Sequence, residues 1–191
     1  MIEREYKFLL PEDEFQRLRR LAEELFPDTK PVRRTQINHY YDTPGRDIRK
    51  RDITLRVRQV GETFCAQVKL PLYGGKGLTE KEELGRPLAE LPQSIHIHSL
   101  FSVLPEIGEC FPEGSLTTCR TTWRPRPGLR LEFDESRYLG KTDYELEIEY
   151  EPAEEEAVRR LIRQLGLCPQ GKPLGKATRF FLALEAGGGN A

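Results

Sequence analysis

The sequence predicts an α+β, mainly β fold: an eight-stranded antiparallel β-barrel with a charged interior and helices packed outside. Three observations lead there. Most segments between residues 2 and 151 alternate charged and apolar side chains with the period of a strand. Short connections between them favour antiparallel neighbours. Three other stretches carry apolar residues at helical spacing, so each has a stripe that must be covered.

Taken in order, IEREYKF opens the chain with Glu3, Glu5 and Lys7 on one side and Ile2, Tyr6 and Phe8 on the other. Residues 12–26 follow Pro11 with an acidic first turn and place Phe15, Leu18, Leu21, Ala22 and Leu25 on one helical stripe. Strands are predicted at TQINHYYD, TLRVRQV, FCAQVKL and LTEKEEL, with YGGKG (73–77) as a turn. In TLRVRQV, Arg56 and Arg58 oppose Leu55 and Val57; in FCAQVKL, Cys65, Gln67 and Lys69 oppose Phe64, Ala66, Val68 and Leu70. The proline-marked stretch 86–112 is less regular and reads as one or two short helices between strands. Strands resume at SLTTCRTTWR, at GLRLEFD with Arg130, Glu132 and Asp134 on one side, and at YELEIEYE with Glu145, Glu147, Glu149 and Glu151 on one side. A second helix, 153–165, runs from Pro152 to a stop at Gly166. A third, from about 173 to 185, ends the ordered chain and leaves 186–191 as a disordered Gly-rich tail. With no convincing linker and no repeat, residues 1–185 read as a single domain.

Sidedness follows from the helices. If the apolar strand faces lined the barrel, three amphipathic helices would have nothing to pack on. The charged faces therefore line the interior.

Composition narrows the function. Lys and Arg total 30 against 31 Asp and Glu, a formal net charge of −1, so the global basic footprint of a nucleic-acid binder is absent. Four cysteines fall in no C-x-x-C spacing and no signal peptide precedes them, which points away from disulfides and zinc and toward reduced thiols in the cytoplasm. No apolar run nears the roughly 20 residues that span a bilayer. GLCPQGKP (166–173) imitates a P-loop but lacks the Ser or Thr and follows a helix. His39, His96 and His98 make no complete metal set.

The signs of the charges are more telling. Carboxylates concentrate on the first and late strands, at Glu3, Glu5, Glu145, Glu147 and Glu149, whereas Lys7, Arg56, Arg58, Lys69, Arg120 and Arg130 are spread over several. Crowded, partly desolvated carboxylates must take up protons or bind a cation, and oxygen ligands suit Mg²⁺ or Mn²⁺. Several bases facing the same space call for a polyanion, since Arg forks match phosphate oxygens.

The motif E-x-E-x-K at Glu3, Glu5 and Lys7 resembles the signature of the CYTH superfamily, the triphosphate tunnel metalloenzymes. The likeness continues through YYDTPGRDIRKRDITLRVR with Arg56 and Arg58, Lys69 in CAQVKL, EKEE at 80–83, Arg120 in TTCRTTWR, Asp134 in LEFDESRYLGKTDYELEIE, and a terminal K-x-x-R at Lys176 and Arg179. The phrase RYLGKTDYELEIE looks closest to the small single-domain bacterial members. The resemblance implies that Glu3, Glu5, Glu147 and Glu149 are catalytic and hold the metal, Mg²⁺ or Mn²⁺, with Asp134 and Glu145 as further ligands. It implies that Lys7, Arg56, Arg58, Lys69, Arg120, Lys176 and Arg179 grip the phosphates, and it leaves Glu80, Lys81 and Glu82 without assigned roles.

The expected function is metal-dependent hydrolysis of a short triphosphate chain, with inorganic triphosphate favoured and metal-activated water attacking the terminal phosphate. Its alternatives are a class IV-type adenylate cyclase, a thiamine, nucleoside or RNA triphosphatase, and a non-catalytic polyphosphate sensor. The expected partner is a small-molecule polyphosphate, bound by a monomer or homodimer without membrane association.

Overall fold

The computed structural model describes residues 4–72, 80–169, 171 and 173–188. Glu3, the turn at 73–77 and residues 189–191 lie outside the described residues, as do the side chains of Glu80, Lys81 and Glu82. The elements are β1 (Arg4–Leu10), α1 (Glu12–Leu25), β2 (Val32–Asp42), β3 (Thr54–Val60), β4 (Thr63–Leu72), β5 (Glu80–Leu88), β6 (Ile95–His96), α2 (Ile97–Leu100), β7 (Glu109–Arg126), β8 (Leu129–Tyr138), β9 (Lys141–Tyr150), α3 (Glu155–Gln164) and α4 (Lys176–Gly188). By contact the chain divides into two compact units, residues 36–117 and residues 4–35 with 118–188.

In the unit of 4–35 and 118–188, β1 pairs antiparallel with β9 and β9 with β8, in registers that set Lys7 beside Glu147, Phe8 beside Leu146 and Asp134 beside Glu145. Because side chains alternate, this register puts Phe8, Leu129, Leu131, Phe133, Leu146 and Ile148 on one face. There they join Phe15, Leu18 and Ala22 of α1, Val158, Leu161 and Ile162 of α3, and Trp123 of β7 in one buried cluster. Phe133 is met edge-on by both Phe15 and Trp123, with ring centroids 5.6 and 5.2 Å away, the geometry aromatic quadrupoles favour. A one-residue slip would turn the charged face into the core. α3 ends where Gly166, at φ +73°, enters the left-handed region: its N–H reaches the Arg163 carbonyl and the Leu167 N–H the Ile162 carbonyl, a Schellman stop. Arg17 donates to the Leu165 carbonyl at 3.0 Å and so ties α1 to that end.

In the unit of 36–117, β2, β3, β4 and β5 pair antiparallel in that order. Leu55, Val57, Ala66 and Val68 bury one face against Ile95, Ile97, Phe101, Leu104 and Cys110. The stretch expected to be irregular supplies this cover, with the two-residue β6 and the single turn of α2.

The mainly antiparallel β class with helices against apolar faces is thus observed, and barrel closure is not. Among the described residues β1 pairs only with β9 and β5 only with β4, so each run of strands is open. The expectation of an eight-stranded closed barrel came from counting strands, which does not fix edge pairing. β5 carries Gly85 and Pro87, and proline has no N–H to offer a further strand. β7 is longer than the expected SLTTCRTTWR segment: it begins at Glu109, inside the proline-marked stretch, and runs through Pro112 and Pro125 to Arg126. Among the described residues no helix is long and apolar enough to cross a membrane.

Candidate active site

On the face of β1, β8 and β9 opposite the apolar cluster stand Glu5, Lys7, Arg130, Glu132, Asp134, Asp143, Glu145, Glu147 and Glu149. Arg120 joins them from β7, and Lys176 and Arg179 from the first turn of α4. Glu147 is the hub: its Oε1 lies 2.8 Å from Lys7 Nζ and 2.9 Å from Lys176 Nζ, and its Oε2 lies 2.9 Å from Arg120 Nη2. Arg120 also donates to both oxygens of Asp134, at 2.7 and 2.6 Å, and contacts Glu132. Lys176 Nζ is 2.9 Å from Asp134 and also bonds Glu145. Arg179 reaches Asp143 at 2.7 Å and Glu145 at 2.9 Å, while Arg130 bonds Glu149 and lies 3.2 Å from Glu132.

Burial gives these charges their strength. Asp134, Glu145, Glu147 and Glu132 are all buried. Burial pushes the Glu145 carboxyl above the usual carboxylate range, and Lys176 only partly opposes it. Glu147 feels the same burial, yet Lys176, Lys7 and Arg120 outweigh it and hold this carboxyl well below that range. Burial alone would lower Lys176, but Glu147, Asp134 and Glu145 hold its ammonium strongly protonated.

The balance is uneven. Among the described residues, seven carboxylates (Glu5, Glu132, Asp134, Asp143, Glu145, Glu147, Glu149) meet five cations (Lys7, Arg120, Arg130, Lys176, Arg179), two fewer positive than negative groups when all are ionised. Protons or a divalent cation can make up that deficit. Burial pushes the Glu132 carboxyl upward as it does Glu145, against the opposing pull of Arg120 and Arg130. Carboxylate oxygens of Glu5, Glu147 and Glu149 lie within 4.8 Å of one another, as do those of Asp134, Glu145 and Glu147. Either all-oxygen set has the chemistry for a hard divalent ion.

Arg56, Arg58 and Lys69 fall in the unit of 36–117. Arg56 Nε donates to Gln67 at 2.9 Å and its Nη2 lies 3.3 Å from Glu83; Lys69 Nζ lies 2.8 Å from Glu83; Arg58 Nε donates to Asn38 at 3.2 Å. Arg56 and Lys69 thus both pair with Glu83, and Arg58 adds to the positive field it feels. Burial would raise the Glu83 carboxyl, but Arg56 and Lys69 bring it below its usual range.

Glu132, Asp143 and Glu83 were not among the residues expected at the site. Parity marks the first two, because Glu132 alternates with Arg130 and Asp134, and Asp143 continues the series 145, 147, 149. Glu83 needed the hairpin register that sets it beside Lys69. Of the histidines, His39 pairs with Gln59, His98 with the Leu104 carbonyl, and His96 lies 3.6 Å from Glu109.

The chain belongs to the CYTH domain family, whose profile matches residues 1–179. YjbK of Bacillus subtilis (strain 168), provisionally named a triphosphatase, is 31% identical over 191 residues, covering 94% of each chain. A Bacillus halodurans protein solved at 2.12 Å and provisionally named an adenylate cyclase is 26% identical, with a TM-score of 0.70 over 94% of this chain and 97% of that one. A Hippeastrum protein described as an adenylyl cyclase with dominant triphosphatase activity superposes with a TM-score of 0.70 over 97% and 96% of the two chains. At 21% identity that last likeness speaks for the fold.

Proposed function

We propose that this protein is a divalent-metal-dependent hydrolase of a short triphosphate chain, with inorganic triphosphate its favoured substrate. The observation that carries the reading is the pair of carboxylate triads that share Glu147, Glu5–Glu147–Glu149 and Asp134–Glu145–Glu147, each with its oxygen donors within 4.8 Å of one another. The provisional name of the Bacillus subtilis relative supports the same reaction class.

Glu5, Glu147 and Glu149 would hold the ion, Mg²⁺ or Mn²⁺, with Glu3 beside them in the E-x-E-x-K motif, and Asp134 and Glu145 would complete the carboxylate set. When bound, the ion polarises phosphoryl oxygens and makes a coordinated water more acidic. Arg56, Arg58 and Lys69 would take phosphate oxygens of the chain, where forked Arg donors fix orientation as well as charge. Lys7, Arg120 and Arg179 would offset negative charge on the transferring group, the main demand in phosphoryl transfer. Water attacks the terminal phosphorus, a P–O–P anhydride bond breaks, and pyrophosphate leaves. The water proton passes to a carboxylate, for which Glu5 and Glu149 are the more exposed members of the set. Four unpaired thiols fit a reducing cytoplasm.

The test is orthophosphate release from inorganic triphosphate, beside ATP, with Mg²⁺ or Mn²⁺ and with chelator. Metal-dependent release from triphosphate and little from ATP is expected. Release that ignores chelator, or none from either substrate, overturns the reading; conversion of ATP to a cyclic product replaces it with the cyclase.

A further inference from the structure

Two carboxylate triads share Glu147, and they differ in what neutralises them. In Asp134, Glu145 and Glu147 one group meets all three members: the Lys176 ammonium, at 2.9 Å from Asp134, 2.9 Å from Glu147 and bonded to Glu145. An ammonium has three N–H donors and no acceptor, so this arrangement uses it fully. In Glu5, Glu147 and Glu149 no single described cation bonds all three; Lys7 lies 3.5 Å from Glu5 and 2.8 Å from Glu147, and Arg130 bonds Glu149.

Exposure separates the triads further. The side chains of Asp134 and Glu145 are 0% and 1% exposed, against 24% for Glu5 and 16% for Glu149. An ion entering the first triad would shed nearly all its water, which Mg²⁺ does reluctantly, whereas the second triad leaves room for retained waters. Lys176 is also held in place from its own helix. Arg179, three residues on and on the same helical face, is anchored by Asp143, Glu145 and the Leu174 carbonyl.

We infer that Lys176 is a built-in cation: in the substrate-free protein its ammonium occupies the Asp134–Glu145–Glu147 triad, so the centre takes one divalent ion, at Glu5, Glu147 and Glu149, rather than two. This rests on the metal-dependent reading above and adds the number of ions and the residue that sets it. Removing the ammonium leaves three buried carboxylates short of a partner, a state that draws in another cation.

Mn²⁺ bound per chain, counted by equilibrium dialysis and by the electron paramagnetic resonance signal of the free ion, tests it without turnover. Wild type should bind one ion, Lys176→Ala two, and Lys176→Arg, which keeps a cation there, one. If the alanine variant unfolds without metal, Lys176→Met keeps the aliphatic stem and is counted in its place, with the same expectation of two. A lysine that merely braces the fold would change stability and leave the count alone. Two ions in wild type, or one in the alanine and methionine variants, overturns the inference while the metal-dependent reading stands. No ion in wild type overturns both.

Discussion

The two units are built alike and charged in opposite senses. Each pairs antiparallel strands, buries one face in an apolar cluster and gives the other to polar groups. On β1, β8 and β9 the charged face is rich in carboxylates held together by half-buried ammonium and guanidinium groups. On β3, β4 and β5 it carries Arg56, Arg58 and Lys69, with Glu83 paired to Arg56 and Lys69. The difference shows that strand alternation decouples fold from ligand. The apolar positions fix register and packing, while residues between them set the sign of the ligand without disturbing the core. One face is suited to a cation and the other to an anion.

The largest expected effect falls on Glu147, the hub of the carboxylate face. Glu147→Gln removes a carboxylate shared by both triads and leaves Lys7, Lys176 and Arg120 with a weaker acceptor. Turnover should fall by on the order of 10²–10⁴-fold, with loss of Mn²⁺ binding, read by steady-state kinetics and dialysis. Thermal unfolding should shift as well, because breaking a buried ion pair costs about 3–5 kcal/mol. Glu5→Gln touches a more exposed carboxylate and should cut turnover by about 10²-fold with KM little changed. Turnover like wild type in that variant, with metal present, removes Glu5 from the site.

Much of the carboxylate face was legible in the sequence because period-2 alternation is a local property. Glu5 with Lys7, and Glu145 with Glu147 and Glu149, could be assigned to one face from spacing alone. Trp123, three residues from Arg120, stands by the same alternation on the opposite face and is fully buried. The partnerships were not legible. That Lys176 of α4 meets Asp134 of β8 and Glu145 of β9 depends on where a helix docks, which no local pattern encodes. Glu83 escaped notice because only the β4–β5 register, which no local pattern fixes, sets it beside Lys69. Closure of the barrel was misjudged for a related reason, since edge pairing depends on which N–H groups the edge strands leave available.

On the basic face a smaller effect is expected. Arg58→Ala removes a guanidinium that donates to Asn38 at 3.2 Å. A charged hydrogen bond contributes about 1.5–3 kcal/mol, so KM for inorganic triphosphate should rise roughly 10- to 100-fold by the usual conversion of 1.4 kcal/mol per decade. The turnover number should move much less, because the residue would anchor the chain rather than meet the reacting phosphorus. An unchanged KM argues that Arg58 does not meet substrate, and a fall confined to turnover moves it toward the chemistry.

The smallest effect tests Glu83, the carboxylate that makes the basic face less basic. Its side chain is 31% exposed and lies 2.8 Å from Lys69 and 3.3 Å from Arg56. Burial raises its carboxyl, but the two cations more than offset this and hold it below its ordinary 4.5. A carboxyl lowered on folding adds stability that is fully present above 4.5 and is lost as pH falls through the lower folded value. Glu83→Gln should therefore be less stable than wild type near neutral pH, by no more than about 1 kcal/mol because the pair is partly solvated. Urea unfolding of both proteins from pH about 7 to about 3 should show that gap close as the wild-type carboxylate takes up its proton. A gap that persists in acid assigns Glu83 to packing. The same variant separates stability from binding: with its counter-charge gone, the basic face should bind inorganic triphosphate a few-fold more tightly. Weaker binding would place Glu83 among the groups that orient Arg56 and Lys69 toward the phosphate chain.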